Sequence, residues 1–182
     1  ELSGNIDGMS RHAITKFAHL HFAANIDAEQ RLIKMGEQNF RIFHTGAPQL
    51  DEFHDYNYMD KEEFFHKFNL DIKKGFALIV QHSITEQSSE SEVQMLTTLQ
   101  AISEIDIPAV LIHPNNDAGS IGIQNALESI NSTNIHIKRH VNRELYANLM
   151  KYAKVMIGNS SSGLLEAPSF ELPAINIGRR QA

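Results

Sequence analysis

Residues 155–170 read VMIGNSSSGLLEAPSF, an apolar run followed by a short polar turn and a helix-like segment that carries one glutamate. An apolar run of strand length, then small polar residues, then a helix is typical of a strand–turn–helix unit. The three consecutive serines and Gly163 allow the backbone to turn tightly and to expose N–H groups at the start of the helix. Such N–H groups bind phosphate well, so the stretch predicts an anion site.

The same alternation of strands and helices extends back to residue 76. Strands are predicted in FALIVQH, PAVLIH, NIHIKRH, KVMIG and AINIG, and helices over residues 90–104, 121–130, 143–152 and 163–170. Apolar strands that alternate with helices predict a parallel sheet with helices on both faces. The expected fold class is α/β, with a Rossmann-like domain.

Residues 10–48 contain a shorter version of this pattern. Helices are predicted in SRHAITKFA and DAEQRLIKMGE, and strands in HLHFAAN and RIFHTGAP. The charged segment that follows, residues 49–75, is predicted to be largely helical, and a domain junction is expected near residues 47–51. Because the chain begins without a methionine and stops soon after a strand, we expect a piece of a longer protein.

Composition argues against several classes of protein. A net charge of −6 offers no basic face for a nucleic acid, and no apolar run approaches the roughly 20 residues that span a bilayer. The absence of cysteine excludes disulfides and zinc–thiolate sites and favours a reducing cytoplasm. The ten histidines show no HExxH-like spacing, so no metal site is expected.

Polar residues follow the carboxyl ends of the predicted strands, which is where parallel sheets bind ligands. These residues are His82, Asn115, Asp117, His140, the serines 160–162, Arg179 and Arg180. Taken singly, the serine turn is more often a helix cap, the histidine a structural residue at a strand end, and Glu166 a complement to the helix dipole. Their shared position at one sheet edge favours a nucleotide-sized pocket.

Six motifs occur in a fixed order along nearly the whole chain: SGNIDGMSRHAITKFAHLHFAAN, FHTGAPQLDEF, QHSITEQ, HPNNDAGS, IGNSSSGLLEAPSF and INIGRRQ. In this order they resemble the hydrolysing UDP-N-acetylglucosamine 2-epimerases, especially the branch that feeds sialic and related nonulosonic acids. The resemblance implies the GT-B fold, in which two Rossmann-like domains hold a nucleotide-sugar between them. Residues 1–48 would then be the C-terminal part of the N-terminal domain, and residues 49–182 an incomplete C-terminal UDP-binding domain.

The resemblance implies roles for the nucleotide-binding residues. Ser160, Ser161 and Gly163 correspond to the turn that holds the diphosphate. Glu166 corresponds to the carboxylate that binds the ribose hydroxyls, and Arg180 to an arginine at the nucleotide end. Asn115 and Asp117, which follow a strand end, are further candidates for substrate binding.

The implied reaction converts UDP-N-acetylglucosamine to N-acetylmannosamine and UDP, by anti elimination of UDP and hydration of the glycal. His82 matches a histidine near the diphosphate, and Asp7 and Arg11 match an acid and an arginine of the catalytic cleft. Such groups act as general acid and base or stabilise charge on the departing diphosphate. The resemblance implies no cofactor, a UDP-sugar as substrate and a cytoplasmic homo-oligomer.

Some residues depart from the family's pattern, and three alternatives stay open. Ser83 stands where proline is usual, Gly8 and Met9 where an acid and a small polar residue are common, and Arg179 where the residue is usually acidic or small. The alternatives are a UDP-N,N'-diacetylbacillosamine 2-epimerase, a GT-B glycosyltransferase and a non-catalytic module that binds a nucleotide-sugar.

Overall fold

The computed structural model describes residues 6–105, 107–114, 118–130 and 132–181, without the side chains of residues 6 and 7. The chain divides into two compact units, Glu1–Tyr56 and Asn57–Ala182. The predicted domain limits, 1–48 and 49–182, stay a prediction about the domains of the protein.

The first unit holds a small parallel sheet. Its elements are α1 (Ile6–Phe17), β1 (His21–Ala23), α2 (Ile26–Lys34), β2 (Ile42–His44) and α3 (Glu52–Asp55), with 3-10 turns at Asn39–Arg41 and Pro48–Leu50. Helix α2 begins where the Asn25 side chain accepts a hydrogen bond from the backbone N–H of Ala28 at 2.8 Å. Strands β1 and β2 pair in parallel, and the rings of Phe22 and Phe43 stack on the sheet.

The second unit is a five-stranded parallel sheet with helices between the strands. Its elements are α4 (Lys61–Phe68), β3 (Ala77–Val80), α5 (Ser91–Ser103), β4 (Ala109–Ile112), α6 (Ser120–Ser129), β5 (Ile135–Lys138), α7 (Arg143–Tyr152), β6 (Val155–Gly158), α8 (Ser162–Leu165) and β7 (Ala174–Asn176), with 3-10 segments at Thr85–Glu90 and Ala167–Phe170. The predicted α/β fold is confirmed.

Two predicted helical segments are shorter than expected. Residues 163–170 were expected to form one helix, but α8 ends at Leu165 and a 3-10 segment with Pro168 in its first turn follows. Proline has no N–H to continue the α-helical hydrogen-bond pattern, which explains the break. Within residues 49–75, α-helix is confined to α3 and α4.

The central strands are buried on both faces. All four residues of β3 are buried, and Leu78 and Val110 are as inaccessible as Ile79 and Leu111 although neighbouring side chains in a strand point to opposite faces. On the face of Ile79 and Leu111, the buried side chains of α5 and α6 complete the core. Burial on both faces explains why these strands are continuous apolar runs.

The order of the strands defines where a ligand would bind. The sheet runs β5-β4-β3-β6-β7, so the chain builds outward from β3 in one direction and then returns to β3's other side with β6. Ligands in open parallel sheets bind at the carboxyl ends of the two strands where the direction of winding reverses. In this unit those are the carboxyl ends of β3 and β6.

The backbones of β3 and β6 approach closely at this point. Gly158, the last residue of β6, has φ +145°, and a β-carbon on it would lie 1.9 Å from the carbonyl oxygen of Val80. No side chain other than hydrogen fits this contact. The next residue, Asn159, is only 3% exposed and donates its backbone N–H to the same carbonyl at 3.2 Å.

The side chain of Asn159 extends the pairing of β3 and β6 past the end of the ladder. Its Oδ1 accepts the backbone N–H of His82 at 2.7 Å, and its Nδ2 donates to the backbone carbonyl of His82 at 2.8 Å. The side-chain amide of Asn159 therefore pairs with both backbone polar groups of His82, as the backbone of a neighbouring strand would.

We expect Asn159→Ala to lower the free energy of unfolding by about 2 kcal/mol, because the backbone N–H and carbonyl of His82 lose their partners in a poorly hydrated place. Urea unfolding followed by circular dichroism measures this change. Asn125→Ala, at an exposed position of α6, is the matched control and should stay within about 0.5 kcal/mol of the parent. Equal effects of the two substitutions would contradict a structural role for Asn159.

Candidate functional site

The sheet edge at the carboxyl ends of β3, β6 and β7 brings together several residues that the sequence singles out. His82 follows β3, the serine turn follows β6, and Arg180 follows β7. Arg180 Nη1 donates to the backbone carbonyl of Asn159 at 3.2 Å, and Gln181 Nε2 donates to the same oxygen at 3.1 Å. Asn159 thus connects three strand ends that are far apart in sequence.

Sequence reasoning did not identify Asn159 or Gln181. The available signal was a polar residue placed directly after the last residue of a buried strand, where a side chain can reach the neighbouring strand. That signal is weak because asparagine is equally common in ordinary turns.

The serine turn is held by its own hydrogen bonds. The Oγ atoms of Ser160 and Ser162 lie 2.9 Å apart, and the carbonyl of Ser160 accepts the N–H of Gly163 at 3.1 Å. The carbonyl of Ser161 accepts the N–H groups of Leu164 and Leu165 at 3.0 and 2.9 Å. Since these three N–H groups are used inside the turn, a ligand here would meet chiefly serine hydroxyls and the backbone before Gly163.

Helix α7 contacts the serine turn through Tyr146. The hydroxyls of Tyr146 and Ser162 are hydrogen-bonded, and Ser162 is 8% exposed. Burial, with a smaller contribution from the negative charge of Glu166, raises the pKa of Tyr146 to about 12. The tyrosine therefore stays neutral at physiological pH and keeps its hydroxyl proton for hydrogen bonding.

Helix α7 also contacts Glu166 through an ion pair. Arg143 Nη1 donates to both carboxylate oxygens of Glu166, at 3.0 and 2.9 Å. The Glu166 side chain is 14% exposed and that of Arg143 is 35% exposed. The carboxylate lies one turn after the serines, because its backbone N–H donates to the carbonyl of Ser162 at 2.9 Å.

The structure describes the remaining predicted site residues only in part. Arg11 lies in α1 of the first unit and is exposed. Asp7 belongs to the same helix, but its side chain lies outside the described residues, as do Asn115 and Asp117 entirely. Their roles stay predictions.

The described residues also bear on two other classes of protein. No group of three or more histidine, cysteine or acidic side chains is arranged to hold a metal ion in the described part of the chain. Among the helices within that part, none combines the length and the apolar character needed to cross a membrane.

Comparisons of the sequence find relatives along the whole chain. The family model described as UDP-N-acetylglucosamine 2-epimerase matches residues 1–182. The chain is 36% identical over 182 residues to the UDP-N,N'-diacetylbacillosamine 2-epimerase (hydrolyzing) of Legionella pneumophila, covering 100% of the chain and 48% of the relative. It is 32% identical to the UDP-N-acetylglucosamine 2-epimerase of Neisseria meningitidis serogroup B, with the same coverage.

Solved structures agree in fold. The S. aureus MnaA–UDP co-structure matches with a TM-score of 0.77 at 18% identity, over 100% of this chain and 48% of that one. The Neisseria meningitidis UDP-GlcNAc 2-epimerase bound to UDP-GlcNAc matches with a TM-score of 0.76 at 15% identity, over 97% and 49%. These matches confirm the predicted GT-B type of fold.

The chain spans about half the length of the curated relatives that it matches, 48% of the first and of the Neisseria enzyme. The family match covers every residue, and the resemblance expected from the six motifs is confirmed. The chain belongs to the UDP-N-acetylglucosamine 2-epimerase family.

Proposed function

We propose that this chain supplies the nucleotide-binding part of a hydrolysing 2-epimerase, which converts UDP-N-acetylglucosamine to N-acetylmannosamine and UDP. One observation carries the proposal: Asn159 brings His82, the serine turn and Arg180 to the sheet edge where winding reverses. This edge is where a nucleotide binds in open parallel sheets. The relatives named as epimerases supply the reaction class.

The diphosphate is assigned to the serine turn and Arg180. Ser160 and Ser161 offer hydroxyls to a phosphate, and Gly163 belongs to the same turn, which its N–H closes by donating to the carbonyl of Ser160. Arg180 gives one N–H to Asn159, and a guanidinium has five such donors, so the anchored side chain can also bind an anion.

The nucleoside is assigned to Glu166 and the loop after β4. The Glu166 carboxylate has four lone-pair sites, so it can accept hydrogen bonds from two ribose hydroxyls while it remains paired with Arg143. Asn115 and Asp117 are proposed as further substrate contacts, because they follow β4 in the sequence.

The proposed chemistry moves one proton and one leaving group. A base removes the proton from carbon 2 of the sugar while UDP leaves from carbon 1, and the C1–C2 double bond of a glycal forms. Water then adds its hydroxyl to carbon 1, and a proton returns to carbon 2 on the opposite face. Because elimination followed by hydration leaves the oxidation state of the sugar unchanged, the reaction requires no redox cofactor.

Three residues are proposed for these steps. Asp7 and His82 serve as general acid and base, and Arg11 stabilises charge on the departing diphosphate. Asn159 holds the backbone of His82 through both its N–H and its carbonyl. This fixes the point from which the His82 side chain projects, and general acid–base catalysis requires such fixed positions.

UDP-N,N'-diacetylbacillosamine is a second candidate substrate. The Legionella relative, which is 36% identical, is named for UDP-N,N'-diacetylbacillosamine, and this identity supports that sugar nucleotide as a second candidate beside UDP-N-acetylglucosamine. Product analysis of the complete gene product separates the alternatives, because an epimerase releases a free 2-epimeric sugar and UDP, a glycosyltransferase forms a glycoside, and a binding module forms no product. We further propose that the complete gene product forms a homo-oligomer in the cytoplasm.

We expect Glu166→Ala to raise the dissociation constant for UDP by about 10–100-fold, because hydrogen bonds to a charged group contribute about 1.5–3 kcal/mol. Calorimetric titration or thermal protection by UDP measures the change. Glu144→Ala, which removes an exposed carboxylate of α7, is the control and should bind UDP as the parent does. An unchanged UDP affinity in Glu166→Ala would remove the ribose assignment.

We expect His82→Ala to lower the turnover of the complete gene product by about 100-fold or more, the contribution typical of a general acid or base. The fold should persist, because the backbone of His82 rather than its side chain joins β3 to Asn159. Steady-state release of UDP, with circular dichroism as a check on folding, tests this. Normal turnover would make His82 a structural residue.

We expect the 182-residue chain by itself to bind UDP weakly without turning over UDP-N-acetylglucosamine. The proposed UDP contacts lie in the second unit, whereas Asp7 and Arg11 lie in a first unit whose described sheet has two strands. Proton transfer requires groups held within about 2.6–3.2 Å of the reacting atom, which so small a sheet does not ensure. A coupled assay for N-acetylmannosamine, run beside a UDP titration, checks both claims, and any turnover would contradict the expectation that the 182 residues do not hold the catalytic groups in place.

A further inference from the structure

The ion pair between Arg143 and Glu166 is the best-defined interaction of a charged side chain in the candidate site. One guanidinium nitrogen, Nη1, contacts both carboxylate oxygens within 3.0 Å. The pair joins the first residue of α7 to a segment that follows the serine turn by sequence, 23 residues further along the chain. It is thus a tertiary contact rather than a local one.

Helix geometry does not by itself favour an arginine at this position. Asn142 caps α7 by accepting the N–H of Leu145 at 2.8 Å, so Arg143 occupies the first helical position. A cation in the first turn of a helix is disfavoured by the helix dipole. The contact with Glu166 provides the compensation, which points to a role for Arg143 at the site.

The next turn of the same helix face contacts the same segment. Tyr146, three residues after Arg143, hydrogen-bonds to Ser162. Residues three apart lie on one face of a helix, so α7 holds both the serine turn and Glu166 with one face. The relative position of these two groups is therefore set by a single rigid element.

We propose that Arg143 is a positioning residue that makes the site selective for a ribonucleotide over its 2'-deoxy form. This inference rests on the proposed function, in which Glu166 binds the ribose hydroxyls. By donating to both oxygens, Arg143 holds the carboxyl group in place, so that its remaining lone pairs point away from the guanidinium in defined directions. A ribose that presents both hydroxyls fits these directions, and one without the 2'-hydroxyl leaves an acceptor unused.

The charge of Arg143 supports the same role. A mostly buried carboxylate close to the serine turn would repel a diphosphate bound there. Arg143 neutralises that charge without covering the carboxylate, whose side chain keeps 14% of its surface exposed. The ion pair thus carries no net charge, while its carboxylate oxygens still accept hydrogen bonds from hydroxyls, which suits a sugar rather than a cation.

The test measures dissociation constants for UDP and 2'-deoxy-UDP by NMR titration of the 182-residue chain and its variants. The parent should prefer UDP by about 10-fold or more, the effect of one hydrogen bond to a charged group. Arg143→Met keeps much of the side-chain volume without the charge, and its preference should fall below about 3-fold, with Arg143→Lys between the two. Lys151→Met, about 12 Å further along α7, is the matched control and should keep the preference of the parent.

A double-mutant cycle identifies the route of the effect. In a Glu166→Gln background, Arg143→Met should change the ratio of the two dissociation constants by less than about 2-fold, because the carboxylate that it orients is gone. Circular dichroism checks that each variant folds. If Arg143→Met does not fold, Arg143→Lys carries the test, and a ratio equal to that of the parent overturns the proposal.

The outcomes separate this inference from the proposed function. If the parent does not bind UDP, or if Glu166→Gln leaves UDP affinity unchanged, both are overturned. If Glu166→Gln weakens UDP binding but Arg143→Met keeps the parental preference for UDP over 2'-deoxy-UDP, the ribose assignment stands and the role of Arg143 is rejected. An equal effect of Arg143→Met in the Glu166→Gln background also rejects it, since the arginine would then act by another route.

Discussion

The two hydrogen bonds between the Asn159 side chain and the backbone of His82 fix the part of the molecule on which the site depends. They prolong the contact of β3 with β6 beyond the last ladder residue, at the point where the sheet changes its direction of winding. The carbonyl of Asn159 then receives Arg180 and Gln181 from the chain after β7. One buried residue therefore sets the distances among three loops.

Helix α7 provides a second set of contacts that hold the candidate site, independent of Asn159. Its contacts with Ser162 and Glu166 orient the serine turn and the carboxylate together. Burial raises the pKa of Tyr146 to about 12, so its hydroxyl keeps its proton at moderately alkaline pH. The site thus combines a backbone-like anchor at the sheet edge with side-chain anchors from a helix.

The sequence predicts this fold well because its signals are local. The limits of α7 agree with the predicted residues 143–152, since the cap at Asn142 and the apolar spacing of the helix are both local signals. The helix predicted over residues 163–170 ends at Leu165 and continues as a 3-10 segment, because Pro168 interrupts the α-helical hydrogen bonds. The contacts of Asn159 and Arg143 were missed for a different reason. They join residues 77 and 23 positions apart, and no periodicity reports such pairs.

The close approach at Gly158 has a consequence for the thermodynamics of binding. A β-carbon there would overlap the carbonyl of Val80, so β3 and β6 meet backbone to backbone, and the chain on either side has few alternative conformations. A ligand that binds at these strand ends would order little additional backbone. Much of the conformational entropy of this backbone is then lost when the protein folds rather than when a ligand binds. The free energy gained from contacts with a small, polar ligand is therefore reduced less by the cost of ordering the protein.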